Sequence, residues 1–162
     1  MLFRIDAGDL KKLSRALKSE ENGKELRKDL LREFRAAAKP VRDEMRANIL
    51  AMPSKGVAHP GPSLRAGIAR RVGIRTRLNG RTVAVWIKAN ETPNLRGFAA
   101  APHHTNAAKG WRHPFMGDRE QWYAQVGAPG WFDKPKLRNR LKFHRAAKKA
   151  MNSTADRIAR KV

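Results

Sequence analysis

Five histidines, fourteen carboxylates and no cysteine are the residues with which this chain could do chemistry. His103 and His104 are neighbours and His113 follows shortly after. Three imidazoles could hold a transition metal if carboxylates completed the set. The acids nearby are only Glu91, Asp118 and Glu120, and adjacent histidines seldom converge on one ion. A solvated loop is the expectation. Asp118 and Glu120 could divide the roles of acid and base, but Arg112 and Arg119 beside them favour local salt bridges. No nucleophile motif surrounds any hydroxyl, and no glycine-rich phosphate loop with an accompanying lysine occurs. Without cysteine, thiolate metal sites and disulfides are excluded. The expectation is no enzyme: no catalytic residues, no metal, no cofactor.

Two other residue classes are concentrated instead. Residues 111 to 132 hold Trp111, Phe115, Trp122, Tyr123, Trp131 and Phe132, six of the chain's eleven aromatics. Pro114, Gly117, Gly127, Pro129 and Gly130 punctuate them, which no regular helix accepts. So much apolar area, with N–H and O–H groups that need partners, must dock on its own domain or on a neighbour. Trp122 and Trp131 read as core residues pinning this segment to a sheet rather than as ligand-stacking platforms. The candidate docking or subunit-interface set is Trp111, His113, Pro114, Phe115, Trp122, Trp131 and Phe132, because Trp, Tyr and Arg are the enriched residues of interface hot spots.

The second class is basic. The 162 residues carry 36 Lys plus Arg against 14 Asp plus Glu, a net charge of +22. The first 50 residues hold 13 basic and 9 acidic side chains, so most of the field comes from the rest. Surplus charge of this size opposes compaction and favours a polyanion, nucleic acid before membrane. The candidate DNA-facing cations are Arg71, Arg75, Arg77 and Lys88 in one group. Lys136, Arg138, Arg140, Lys142, Arg145, Lys148 and Lys149 form another. Such contacts position a protein on a backbone without reading sequence. No helix-turn-helix, zinc finger or single-strand stacking sheet is evident.

The elements that must hold these residues are legible in part. Asp9 can cap a helix over residues 9 to 21 with Leu10, Leu13 and Leu17 on one face, before a break at Asn22-Gly23. From Lys24 to about Ala51, Leu26, Leu30, Phe34, Val41, Met45 and Ile49 recur at helical spacing, and Pro40 should kink or divide the run. Glu25, Asp29 and Glu33 can pair with Arg27, Lys28 and Arg32. After a Pro/Gly-rich connector at 53 to 63 comes a short helical turn from Leu64 to about Arg70. Asn79-Gly80 between Val72–Leu78 and Arg81–Lys88 marks a type I′ hairpin. Its register pairs Leu78 with Arg81, Thr76 with Val83 and Ile74 with Val85, separating apolar residues from the basic set. A flexible loop is expected over 89 to 110, and short strands at 111 to 115 and 121 to 126 beside the hairpin. Asp133 can cap a final helix from Lys134 to Arg160, with Pro135 in its first turn. Leu137, Leu141, His144, Met151, Ile158 and Val162 mark its apolar face. The expected fold is one α+β domain over residues 1 to 162, with N-terminal helices and a long C-terminal helix packed on a small antiparallel sheet. No segment reaches the roughly 18 to 20 apolar residues of a membrane span, and none resembles a signal peptide, so a soluble protein is expected.

Taken in order, these residues resemble a known family. Its pattern is helix, hairpin with a basic face, Trp111-Arg112-His113-Pro114-Phe115 with Gly117 and Arg119, then Trp122 and Gly130-Trp131-Phe132, then a basic helix. It is similar to the tail-component family of long-tailed bacteriophages, described as neck, tail-completion or head–tail joining proteins. The approach at Gly127-Ala128-Pro129 is thinner in proline than the family pattern. The resemblance implies a structural, non-enzymatic virion protein assembled in the host bacterial cytoplasm. It also implies a homo-oligomeric ring, hexameric, contacting other neck, connector and tail proteins along the DNA conduit. The first rival is a free-standing, sequence-nonspecific DNA-binding or architectural protein. A nuclease or murein-active virion protein is the enzymatic rival, and it would need the clustered carboxylates or nucleophile that are not found here.

Overall fold

Leu26, Leu30, Phe34, Val41, Met45 and Ile49 form the buried face of one uninterrupted helix, α1 (Gly23–Leu50). In the computed structural model the described residues are 17, 23–53, 63–79, 82–92, 98–115 and 118–160. The expected helix at 9 to 21 therefore lies outside the described residues apart from Leu17, which is buried. So do most of the 53 to 63 connector and Val162. Each large apolar side chain buried along α1 stabilises by about 1.5–3 kcal/mol. Pro40 lies inside α1 and does not divide it, contrary to one of the two expected outcomes. Both Pro40 and Ala36, whose carbonyl loses its helical donor to the proline, are exposed, so water can satisfy that oxygen.

The remaining elements are α2 (Leu64–Arg71), β1 (Val72–Asn79), β2 (Thr82–Ala89), α3 (Ala101–Asn106), β3 (Trp111–Phe115), β4 (Asp118–Gln125), α4 (Asp133–Arg138) and α5 (Arg140–Ala159). Helices with small antiparallel sheets make this an α+β fold. There are two two-stranded sheets among the described residues, β1 with β2 and β3 with β4. The strands at 111–115 and 118–125 thus pair with each other rather than extending the first hairpin. Gly80 and Arg81, on which the expected type I′ turn rests, lie outside the described residues.

By its contacts the chain divides into two units. One gathers α1 up to Arg42, Ile74–Lys88, and the residues from Arg138 onward. Its apolar interior draws on Leu26, Leu30 and Phe34 of α1, Ala84, Val85 and Ile87 of β2, and Phe143, Ala147 and Ala150 of α5. Arg35 Nη2 donates to Thr76 Oγ1 at 3.0 Å, tying α1 to β1. Asp29 receives Arg32 at 2.9 Å and Arg157 at 3.1 Å, tying α1 to α5. The expected α1 ion pairing is thus present for Asp29 and Arg32.

The second unit comprises Asp43–Gly73 and Ala89–Leu137. Met45, Ile49, Met52, Ile68, Val72, Ala101, Trp131 and Phe132 are its buried apolar residues of note. Arg46 donates through both Nε and Nη2 to Val72 O, at 3.2 and 2.7 Å, and Arg65 Nη1 donates to Met52 O at 2.7 Å. These guanidiniums satisfy carbonyls where helices end, which is where the helix dipole favours positive charge.

The C-terminal helix differs from expectation in two respects. It is broken at Asn139 into α4 and α5, because Asn139 takes the bridge conformation (φ −94°, ψ 3°). Asparagine competes with the helical backbone through its side chain, and the Asn139 carbonyl accepts the Phe143 N–H at 2.9 Å to open α5. The buried stripe is also not the expected one. Phe143, Ala147, Ala150 and Thr154 face inward, whereas Leu137 and Leu141 are 68% and 69% exposed. The stripe lies one residue back from His144 and Met151, which rotates the face by about 100°.

Candidate functional site

Within the segment expected to be a flexible loop, residues 101–106 form α3, and it is the platform on which the aromatic segment docks. Ala101, Pro102, Thr105 and Asn106 are buried. Thr105 Oγ1 donates to Ala101 O at 2.8 Å and accepts the Trp131 Nε1–H at 3.2 Å. Asn106 uses both ends of its amide: Oδ1 accepts the Phe132 N–H at 2.9 Å, and Nδ2 donates to Asp133 Oδ2 at 2.7 Å. Backbone bonds complete the clamp, Ala128 N to Thr105 O at 2.9 Å and Gly130 N to Asn106 O at 2.8 Å. Glycine is needed twice. A Cβ on Gly127 would lie 2.7 Å from the Thr105 backbone, and Gly130 holds φ +75°, a conformation costly for other residues.

Trp131 and Phe132, proposed as docking residues, therefore dock within their own unit, edge to face at 5.5 Å. They are buried and closed to any neighbour, and they are pinned to a helix rather than to a sheet. Asp133, expected as the cap of a helix from Lys134, is itself the first residue of α4, and its carboxylate accepts from Asn106 Nδ2.

The β3–β4 hairpin is the opposite case. Its register sets Trp111 opposite Gln125, Arg112 opposite Ala124, His113 opposite Tyr123 and Pro114 opposite Trp122, with a bulge before Phe115. Alternation places Trp111, His113 and Tyr123 on one face and Arg112, Pro114 and Trp122 on the other. All eight residues of β4 are exposed. Trp122, read from the sequence as core, is 49% exposed, and Tyr123 is 50% exposed. Trp122 keeps its Nε1–H on Arg119 O at 2.7 Å, and the Arg112 guanidinium lies 6.0 Å over its ring. Trp111 is half-buried against Phe98 (5.4 Å) and His104 (6.4 Å), while His104 stacks on Phe98 at 5.4 Å. The side chain of Phe115 lies outside the described residues.

His104 is thus engaged as an aromatic, with His103 edge-on at 5.8 Å and His113 out on β3. Among the described residues no three His, Asp or Glu side chains gather as metal ligands, and no helix is long and apolar enough to cross a membrane.

The expected basic residues separate into groups. Arg71 does not lie on the hairpin; it closes α2, where a cation at a helix C-terminus is favourable. Arg75, Arg77 and Lys88 are exposed on β1 and β2. Lys136 is half-buried and, with Arg138, lies on α4. Arg140, Lys142, Arg145, Lys148 and Lys149 are exposed on α5. Sequence reasoning missed Arg157 and Arg160, which join Arg145, Lys148 and Lys149 along a shallow groove. Their i, i+3 and i+4 spacing was the available signal.

Searches against protein-family models, curated proteins and solved structures find no match to this chain.

Proposed function

We propose that the chain is a structural protein of a bacteriophage neck or tail. In this reading it forms or joins a ring at the head–tail junction, with basic surfaces beside the DNA path. The observation that carries the reading is the β3–β4 hairpin. A two-stranded sheet is marginal by itself in water, yet here one strand is exposed along its whole length and presents Trp122 and Tyr123 on opposite faces. Aromatics and arginine held out in this way are the anchors of subunit contacts. The segment 111–132 also has two basic and two acidic residues on a chain of net charge +22, so a like-charged copy can approach there with least repulsion. Ring closure requires one patch to meet a different patch on the next copy. The motif run from Trp111 to Arg119 supports assigning such a ring to a phage neck, and a six-fold ring follows from the same resemblance. The role is architectural rather than enzymatic.

The test is sedimentation velocity and electron microscopy of the purified chain and of a Trp122→Ser/Tyr123→Ser double variant. Closed rings from the parent and monomers of unchanged circular dichroism from the variant are expected. A parent that stays monomeric at every concentration, or rings indifferent to both substitutions, would sink the reading. A monomer that binds DNA tightly would instead favour a free-standing architectural protein, a reading to which the exposed cations of α5 lend weight.

A further inference from the structure

We infer that the solvent face of α5 is a track for the phosphate backbone of duplex DNA. The inference deepens the DNA-path part of the function proposed above and rests on it. Phe143, Ala147, Ala150 and Thr154 turn inward, which fixes the opposite side of the helix as the exposed one. On that side lie Lys142, Arg145, Lys148, Lys149 and Arg160, all exposed. From Lys142 to Arg160 they extend about 27 Å along the helix axis, on the order of one turn of duplex. A groove over this face is lined among the described residues by Arg145, Lys148, Lys149, Asn152 and Arg160 together with Ser153, Asp156 and Arg157. Asn152 and Ser153 add neutral donors of the kind that bond phosphate oxygens. Arg157 already serves Asp29 at 3.1 Å, so it steadies the helix more than it offers free charge.

The form of the polyanion follows from what the face lacks. Single-stranded nucleic acid is held by aromatic platforms on which bases stack. The only Phe on α5 is Phe143, which is buried, and its only other ring is the half-buried His144. A cationic face without stacking surface fits a backbone whose bases are already paired. A single acid, Asp156, interrupts it, leaving a linear array suited to regularly spaced phosphates.

The experiment measures binding of the full chain to a labelled duplex, to the matching single strand and to polyglutamate across a salt series. Two triple variants accompany the parent. One is Arg145→Gln/Lys148→Gln/Lys149→Gln. The other, of equal charge change, is Lys24→Gln/Lys28→Gln/Lys39→Gln on the exposed side of α1. The α5 variant should lower the slope of log K against log salt by about 2.7 and weaken duplex binding by at least about tenfold near 0.1 M salt. The α1 variant should bind like the parent. Equal losses in both variants would mean that net charge alone acts, and the track would be refuted. Tighter binding of the single strand overturns the duplex assignment. Polyglutamate bound as tightly, with the same loss in the α5 variant, assigns the face to an acidic protein instead. Ring assembly is scored by sedimentation and the track by DNA binding of the free chain, so a failure of one is told apart from a failure of the other.

Discussion

Replacing Trp131 with alanine tests the clamp between α3 and the 128–133 turn most directly. The indole is 3% exposed, packs edge to face on Phe132 at 5.5 Å and donates to Thr105 Oγ1 at 3.2 Å. Truncating a buried tryptophan to alanine removes its transfer free energy and leaves a cavity, together costing about 3–5 kcal/mol. With a urea dependence of about 2 kcal/mol per molar, the unfolding midpoint should fall by about 2 M. Trp131→Phe keeps most of the apolar volume and loses chiefly the N–H bond, so its cost should be nearer about 1 kcal/mol. Urea titration by far-UV circular dichroism gives the midpoints. Amide exchange at Ala128 and Gly130, whose N–H groups bond Thr105 and Asn106, reports the clamp itself. A midpoint that moves by less than about 0.3 M, with those amides still protected, would refute the argument that the ring anchors this unit. A phenylalanine variant as damaged as the alanine variant would transfer the credit from packing to the hydrogen bond.

Glycine substitutions should separate by position. Gly127→Ala forces a Cβ to 2.7 Å from Thr105 backbone atoms and should cost about 1–3 kcal/mol by thermal melting. Gly73→Ala, with nothing within 4 Å, should be neutral or stabilise by about 0.5–1 kcal/mol. The two helix faces of α5 should separate as well: Phe143→Ala should cost about 3–5 kcal/mol, while Leu141→Gln should stay within about 0.5 kcal/mol. Equal losses at 141 and 143 would restore the face expected from hydropathy.

What could be read from sequence depended on whether local pattern carried the signal. Along α1 the buried positions are filled by large side chains at a helical period, so face and extent are legible, and Asn79-Gly80 gave the first hairpin away. On α5 the buried stripe is built mostly from Ala147, Ala150 and Thr154, small residues of low hydropathy. The conspicuous Leu137 and Leu141 lie outside it, and a reading weighted by hydrophobicity follows them to the wrong face. α3 is invisible for another reason. Its sequence, APHHTN, has no apolar period, and what fixes it is a set of polar contacts to residues 128–133. Trp131 and Trp122 show the same limit within one segment, since size announces that an indole will be used but not whether it turns inward.

The β3–β4 hairpin has a consequence for how its unit folds. Asn106 and Phe132 are 26 positions apart, and closing a flexible loop of that length costs about 3 kcal/mol of chain entropy beyond a constant. Pairing Trp111 with Gln125 shortcuts about half of that span, leaving an effective loop of roughly twelve residues and lowering the closure cost by about 0.7 kcal/mol. The bare Cα of Gly110, backed directly onto the Gln125 carbonyl, is where the shortcut is fastened. The exposed hairpin is thus also a zipper. Its backbone brings the two halves of the clamp closer along the chain, while Trp122 and Tyr123 remain half exposed on its two faces.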